Sequence, residues 1–346
     1  METIWFTLVA LMLIAYVVLD GFDLGAGALH LIAARTDEER RMLLRSIGPV
    51  WDGNEVWLLA AGGTLFYAFP LLYASSFSGF YLPLSMVLWL LVFRAIGIEF
   101  RMHLDSEVWR DFFDTMFALA SLLLIVLFGA ALGNVIRGVP LGADHYFFVP
   151  LWTTFLPGAE PGALDWYTVL CALTTVVVVS LHGALYLILK TTGRLNDRTR
   201  GIVKLLWPVA AAGTVASLFG TIAVRPSVLD NYRRAQAGWI IPIAVMAGLA
   251  GIFVFTRNRQ ERNAFLASCL YITAMLSGAA FALYPVLLPS SGDPNLSLTI
   301  WNTAAGAGSL SIGLIWWSIG MAIAVGYFVL IYTMFRGKVT ADSGGH

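Results

Sequence analysis

Apolar residues along this chain run in long, nearly unbroken stretches, without the period of two that marks a half-buried strand. Nine such stretches lie near residues 4–33, 47–73, 78–100, 112–136, 163–189, 202–223, 238–256, 264–288 and 307–335. A helix needs about 20 apolar residues to cross a hydrocarbon layer about 30 Å thick. Inside that layer every backbone N–H and C=O must be satisfied within the element, which favours helices. The pattern predicts an all-α, polytopic membrane protein of about nine transmembrane helices, forming a single integral domain over residues 1–346. The first stretch follows Glu2 with no basic segment and no small-residue cleavage site, so it is expected to remain as the first span. The longest connections, about 137–162 and 289–306, are rich in Gly, Pro and aromatic residues.

Composition narrows the function classes. The 346 residues are 59% hydrophobic and 12% charged, with a mean hydropathy of +0.79, against roughly 25% charged in soluble domains. Lys and Arg total 21 and so do Asp and Glu, so no net charge attracts nucleic acid. Cys171 and Cys269 stand alone in apolar runs and supply neither a disulfide framework nor a cysteine metal site. Position matters more than total charge. Seventeen of the 21 Lys and Arg fall after the odd-numbered spans or in the tail, leaving Arg137, Arg225, Arg233 and Arg234 on the other side. The positive-inside rule then places the N-terminus outside and the C-terminus in the cytoplasm.

Two segments echo each other at a constant offset of 215. Residues from Ala61 and from Leu276 share Gly63/Gly278, Phe66/Phe281, Pro70/Pro285, Leu72/Leu287, Ser75/Ser290 and Ser76/Ser291. This weak parallel repeat would relate spans 2 and 8. The same offset takes Asp52 to Ala267 and Glu55 to Leu270, so only the first copy carries acids.

Ionisable groups inside spans carry the candidate chemistry, because each costs several kcal/mol in hydrocarbon. Asp20 and Asp23 share one face of span 1, roughly 20 Å and 15 Å from a helix end near Ala33 by rise per residue. Gly21, Gly25 and Gly27 beside them offer a surface where another helix can approach and cover the carboxylates. Span 2 opens with Pro49, Trp51, Asp52, Asn54 and Glu55. Asp52 there is either a carboxylate favoured by the helix dipole, with Trp51 in an aromatic belt, or the mouth of an acid ladder. In the ladder, Glu55 and Asp52 lie near the cytoplasm, Asn54 is a neutral donor and acceptor, and Asp23 and Asp20 lie deeper. Graded carboxylates of this kind suit proton transfer. Arg94 and Glu99 in span 3 are supporting candidates that could pair with the span 2 acids. His30 and His182 are the imidazoles a haem or metal could use, but no His, Met or Cys at i+4 completes a helix-borne pair. Hydrogen bonding between helices is the competing reading for both.

The motifs D-G-F-D-L-G-A-G at 20–27, S-I-G-P-V-W-D-G-N-E-V-W-L at 46–58, A-G-G-T-L-F at 61–66, F-S-G-F-Y at 77–81 and F-R-A-I-G-I-E-F-R at 93–101 are the most specific. L-G-N-V-I-R-G-V-P at 132–140 and P-S-S-G-D-P-N-L-S-L-T-I-W-N at 289–302 extend the set. With them the chain resembles subunit II of the cytochrome bd quinol oxidases along its full length. The resemblance implies a bacterial inner-membrane complex whose subunit I holds haems b and d and the quinol site, with quinol and oxygen as substrates of the complex. This chain is then its haem-free partner, not catalytic alone, and a small single-span subunit is a further expected partner. Asp52 matches the family's acid at the cytoplasmic mouth of the proton path and Asp23 an acid further along; Trp51 and Asn54 are carried over as neighbours in the motif. Asp20 and Glu55 rest on the physical argument alone. Where family members often have Asp after the last Trp, this chain has Asn302. A structural quinone or lipid between the helices is a further expectation. The alternatives are a proton-coupled secondary transporter and a purely structural assembly subunit.

Overall fold

The computed structural model describes residues 1–339. Its helices are α1 (Glu2–Ala28), α2 (His30–Ala33), α3 (Asp37–Ile47), α4 (Trp51–Ala68), α5 (Pro70–Gly79), α6 (Tyr81–Phe100) and α7 (Glu107–Arg137). They continue as α8 (Trp166–Lys190), α9 (Gly193–Val224), α10 (Asp230–Arg234), α11 (Ile240–Arg257), α12 (Glu261–Leu283) and α13 (Ala307–Met334). Two short strands, β1 (Val286–Leu288) and β2 (Leu298–Thr299), pair antiparallel, with Val286 opposite Thr299 and Leu288 opposite Leu298.

Eight of these helices are long and apolar enough to cross a membrane: α1, α6, α7, α8, α9, α11 with its preceding turn, α12 and α13. The expected second span is the exception. Residues 47–73 contain the end of α3, the 18-residue α4, and a break at Phe69 before Pro70 opens α5. Pro70 has no N–H to donate and is tolerated at a first helical position. Asp52, Asn54 and Glu55 dilute the hydropathy of α4. It is nonetheless packed on α1, as α7, α8 and α12 are.

The first span also ends earlier than expected, at Ala28, with α2 a separate turn. Thr36 then starts α3 through a capping box: its side chain accepts from the Glu39 N–H while the Glu39 side chain accepts from the Thr36 N–H. Such reciprocal caps satisfy donors a helix start would leave orphaned. Asp165 caps α8 in the same manner with Thr168. The two segments of the sequence echo share a helix followed by Pro. After that residue one continues as α5 and the other as β1.

α1 is the hub, packing on α4, α7, α8 and α12. Its glycines set the spacing. A Cβ on Gly25 would overlap the Val179 carbonyl of α8 and stand 2.9 Å from the Gly183 nitrogen, and one on Gly183 would overlap the Gly25 backbone. Gly27 lies equally close to Ser121 of α7. The glycine surface beside the acids therefore receives α8 and α7, sealing Asp20 and Asp23 from solvent. The opposite periphery is bare: α13 is exposed along almost its whole length. The two long connections meet at the end far from the Arg-rich loops, where Val139 bridges Ser290. Gly138 leaves α7 at φ +102°, a conformation that favours glycine. Arg137 braces the junction, donating to Asp165, to Asn134 Oδ1 at 2.6 Å and to the Gly162 carbonyl at 3.0 Å.

Candidate functional site: an acid and arginine cluster between α1, α4 and α6

Four elements converge where the first two spans carry their polar residues. From α1, Asp20 meets Arg94 of α6 in a two-pronged ion pair, with Arg94 Nη1 donating to Asp20 Oδ2 at 2.7 Å and Nη2 donating to Oδ1. Both side chains are fully buried. The planar guanidinium matches a carboxylate in this geometry, which makes the pair directional as well as strong. Arg94 also lies 5.9 Å from the Trp51 ring centroid and 3.9 Å from Glu55 Oε2, both on α4.

One turn along α1, Asp23 is equally buried but makes no ion pair among the described residues. Asn54 Nδ2 of α4 donates to its Oδ2 at 2.7 Å and to the Leu19 carbonyl at 3.2 Å. Tyr332 of α13 closes the set by donating to Asn54 Oδ1 at 2.8 Å. The second Asp23 oxygen, Oδ1, has no hydrogen-bond partner among the described residues. Asp20 and Asp23 thus share a helix face and differ in chemistry: one faces a permanent cation, the other a neutral amide.

The remaining expected residues grade outward. Glu55 is a quarter exposed and Asp52, one turn earlier on α4, is exposed. Glu99 is exposed near the end of α6 and is not among the partners of the α4 acids; its carbonyl lies 3.1 Å from His103 Nδ1. The structure therefore brings together Asp20, Asp23, Trp51, Asn54, Glu55 and Arg94 and leaves Glu99 outside.

Both span histidines are held by the protein. His182 Nε2 donates to the Val18 carbonyl at 2.9 Å, Nδ1 lies 2.7 Å from Ser268 Oγ, and Phe265 stacks on the ring. His30 Nε2 lies 2.6 Å from Asp114 Oδ1. A haem needs a free imidazole nitrogen facing space for a macrocycle. His182 offers no free nitrogen; His30 keeps Nδ1 without a hydrogen-bond partner among the described residues, but its ring is fully buried with Phe117 5.3 Å away. No cluster of three or more His, Cys, Asp or Glu suited to a metal occurs among the described residues. His182 does not fit a haem, and His30 has one free nitrogen in a packed, fully buried setting.

A second network, at the Arg-rich end, was hidden in the sequence. Asp114 of α7 accepts from Arg101 Nε at 2.6 Å and Nη2 at 3.0 Å, and from Arg40 Nη1 at 3.0 Å. Arg101 Nη2 also donates to Asp37 Oδ1 at 2.7 Å. Partial burial pushes the Asp37 carboxyl up, but the Arg101 hydrogen bond and the charges of Arg101, Arg41 and Arg110 together hold the group below its ordinary value. Glu39 behaves alike, with burial opposed by Arg198 and a net lowering. Asp114 stands deep in the first turns of a span, and that depth was its only signal. Tyr332 gave none, since a Tyr in an apolar span usually belongs to an interface belt.

Comparison with known proteins decides what this architecture is. The sequence model of the cytochrome bd terminal oxidase subunit II family matches residues 1–335. This chain belongs to that family. A probable cytochrome oxidase subunit 2 of Haemophilus influenzae is 33% identical, over 98% of this chain and 95% of that protein. The cytochrome bd-I ubiquinol oxidase subunit 2 of Escherichia coli is 32% identical over the same shares. The cytochrome bd ubiquinol oxidase subunit 2 of Bacillus subtilis is 28% identical over 98% of this chain and 97% of that one. The bd oxidase structure from Geobacillus thermodenitrificans shares the fold, with a TM-score of 0.75 at 19% identity, covering 96% of this chain and 98% of that one. The chain is a multi-pass membrane subunit of an oxidoreductase complex, and its place as subunit II implies a subunit I.

Proposed function

We propose that this chain, docked on a haem-bearing subunit I in a bacterial inner membrane, carries protons from the cytoplasm toward the centre where oxygen is reduced to water with electrons from quinol. The Arg-rich loops lie in the cytoplasm and the N-terminus outside. Reducing one oxygen molecule to two waters takes up four protons, and drawing them from the cytoplasmic side builds a potential without a pump. The haems supply the electron transfer and oxygen chemistry from the partner; this chain supplies acids and their positions.

Asp52, exposed on the first turn of α4, takes up a proton from water. Glu55 follows one turn deeper, near enough to feel Arg94. Asp23 receives the proton in the buried layer, positioned by Asn54, while Tyr332 fixes the Asn54 amide so that its N–H points at the carboxylate. Arg94 and Trp51 frame the passage. Asp20 serves as the fixed counter-ion of Arg94, because both of its oxygens are engaged by the guanidinium. The observation that carries this reading is the contrast within α1: a buried acid without an ion pair, one oxygen unpartnered, beside a buried acid that is fully paired.

The test is quinol-driven oxygen uptake by the purified complex carrying Asp52→Asn or Asp23→Asn. Turnover should fall at least tenfold, since each substitution keeps the shape and removes the exchangeable proton. Haem absorbance should stay at the wild-type level. Unchanged turnover in both variants rejects the path, and loss of haem would assign these acids to assembly instead.

A further inference from the structure

Away from the acid cluster, α9 and α11 enclose a cavity of about 670 Å³ near the Arg-rich end of the molecule. The helices meet where Trp207 Nε1 donates to the Leu249 carbonyl at 2.9 Å, with the Trp207 and Phe253 rings 5.0 Å apart. Towards the helix ends the wall changes character. Arg200 and Lys204 line it from α9, and Arg257 and Arg259 from the end of α11 and the turn that follows. No lining residue is acidic.

The cations are not balanced within the fold. Arg200 is paired with Glu261, and Glu261 also accepts from Lys338 at 2.6 Å. Lys204, Arg257 and Arg259 make no ion pair among the described residues, although ion pairs are frequent elsewhere at this end of the molecule. The hydroxyl of Thr256, also in the lining, is buried with no hydrogen-bond partner. Beside the apolar half, Leu205, Val209 and Val254 are exposed on helices long and apolar enough to span a membrane. The cavity is therefore cationic toward water and apolar toward the hydrocarbon.

We propose that this cavity binds an anionic phospholipid, its phosphate held by Lys204, Arg257 and Arg259 and one acyl chain lying against Trp207 and Phe253. Basic pockets between spanning helices select anionic headgroups in this manner. A free phosphate would leave the apolar half unused, and an uncharged quinone would leave three cations unmatched. A zwitterionic lipid brings a cation of its own into a site that already has an excess.

The probe is phosphatidylglycerol added to the delipidated oxidase complex, followed by native mass spectrometry, with phosphatidylcholine of the same chains and inorganic phosphate as comparisons. Phosphatidylglycerol should bind the more tightly, and Lys204→Gln with Arg257→Gln should weaken it about fivefold for each cation removed. Lys204→Arg with Arg257→Lys should retain it. Equal binding of the two lipids, undiminished binding in the neutral variant, or displacement of phosphatidylglycerol by millimolar phosphate would each overturn the proposal. Should the neutral variant fail to assemble, a photoreactive phosphatidylglycerol on the wild-type complex must label peptides of α9 and α11, and labelling confined to other helices rejects the site.

Discussion

Asp20 and Asp23 are three residues apart and equally buried, yet their neighbours give them different physics. A buried ion pair is poor evidence of stability, but removing one partner strands a charge and typically costs about 3–5 kcal/mol. Arg94→Gln should therefore lower the yield and melting temperature of the complex sharply, whereas Arg94→Gln combined with Asp20→Asn should recover much of the loss. Thermal melts of the purified complexes measure both. If the single variant melts with the wild type, the pair is not structural and Asp20 would have to be reconsidered as a proton carrier. The need for a partner was legible in the sequence, since an acid in a span needs one; which partner was not. Arg94 lies 74 positions from Asp20 and could equally have served the α4 acids. Asn302 shows the same limit. It satisfies a turn, accepting from the Thr299 N–H at 2.7 Å and donating to the Ser297 carbonyl at 3.1 Å. An aspartate there would keep only the accepting half.

At the level of elements, hydropathy found the apolar helices because length and composition alone decide whether a segment spans. It overran at the two spans that carry chemistry. α1 stops at Ala28 with α2 as a separate turn, and the second span divides at Phe69. Both breaks are local backbone events that a sum over side-chain hydrophobicity does not register. The glycines of span 1 were better guides, because close approach leaves a compositional trace. Gly183→Val tests that approach. Its side chain has no room against the Gly25 and Ala26 backbones, so α8 must move off α1 and the cover over Asp20 and Asp23 opens. The complex should lose stability beyond the few tenths of a kcal/mol that separate Val from Gly in helix propensity, a difference that on its own favours Val. Gly201→Ala in α9, where nothing lies within 4 Å of the added carbon, is the control and should be neutral or slightly stabilising. Equal melting temperatures for Gly183→Val and wild type would show that the helices have slack at this crossing.

For the whole molecule, the exposed side of α4 decides which way the chain faces. Asp52 and Glu55 open outward on a helix whose neighbouring surface includes Val56 at 52% and Leu59 at 77% exposure. A carboxylate one turn into a span, as Glu55 is, cannot be left against lipid at tolerable cost. Asp52 at the helix start can stay open to water, but Glu55 one turn deeper calls for a protein cover, and α13, exposed along its length and joined to α4 through Tyr332 and the Trp57–Phe328 contact, continues the same surface. The far side, along α9, presents exposed apolar residues such as Leu218 at 56%, and its exposed carboxylate, Asp197, lies in the first turns at the Arg-rich end and outside the apolar stretch, which suits lipid. Both faces expose large apolar side chains, and the acids of α4 are what set its face apart. A photo-crosslinking residue at Leu59 should accordingly capture subunit I, while the same residue at Leu218 should capture lipid alone. Capture of subunit I from Leu218 but not from Leu59 would turn the molecule around. The α4 acids would then face away from the oxygen-reducing centre, and the proton path proposed through them would have no destination.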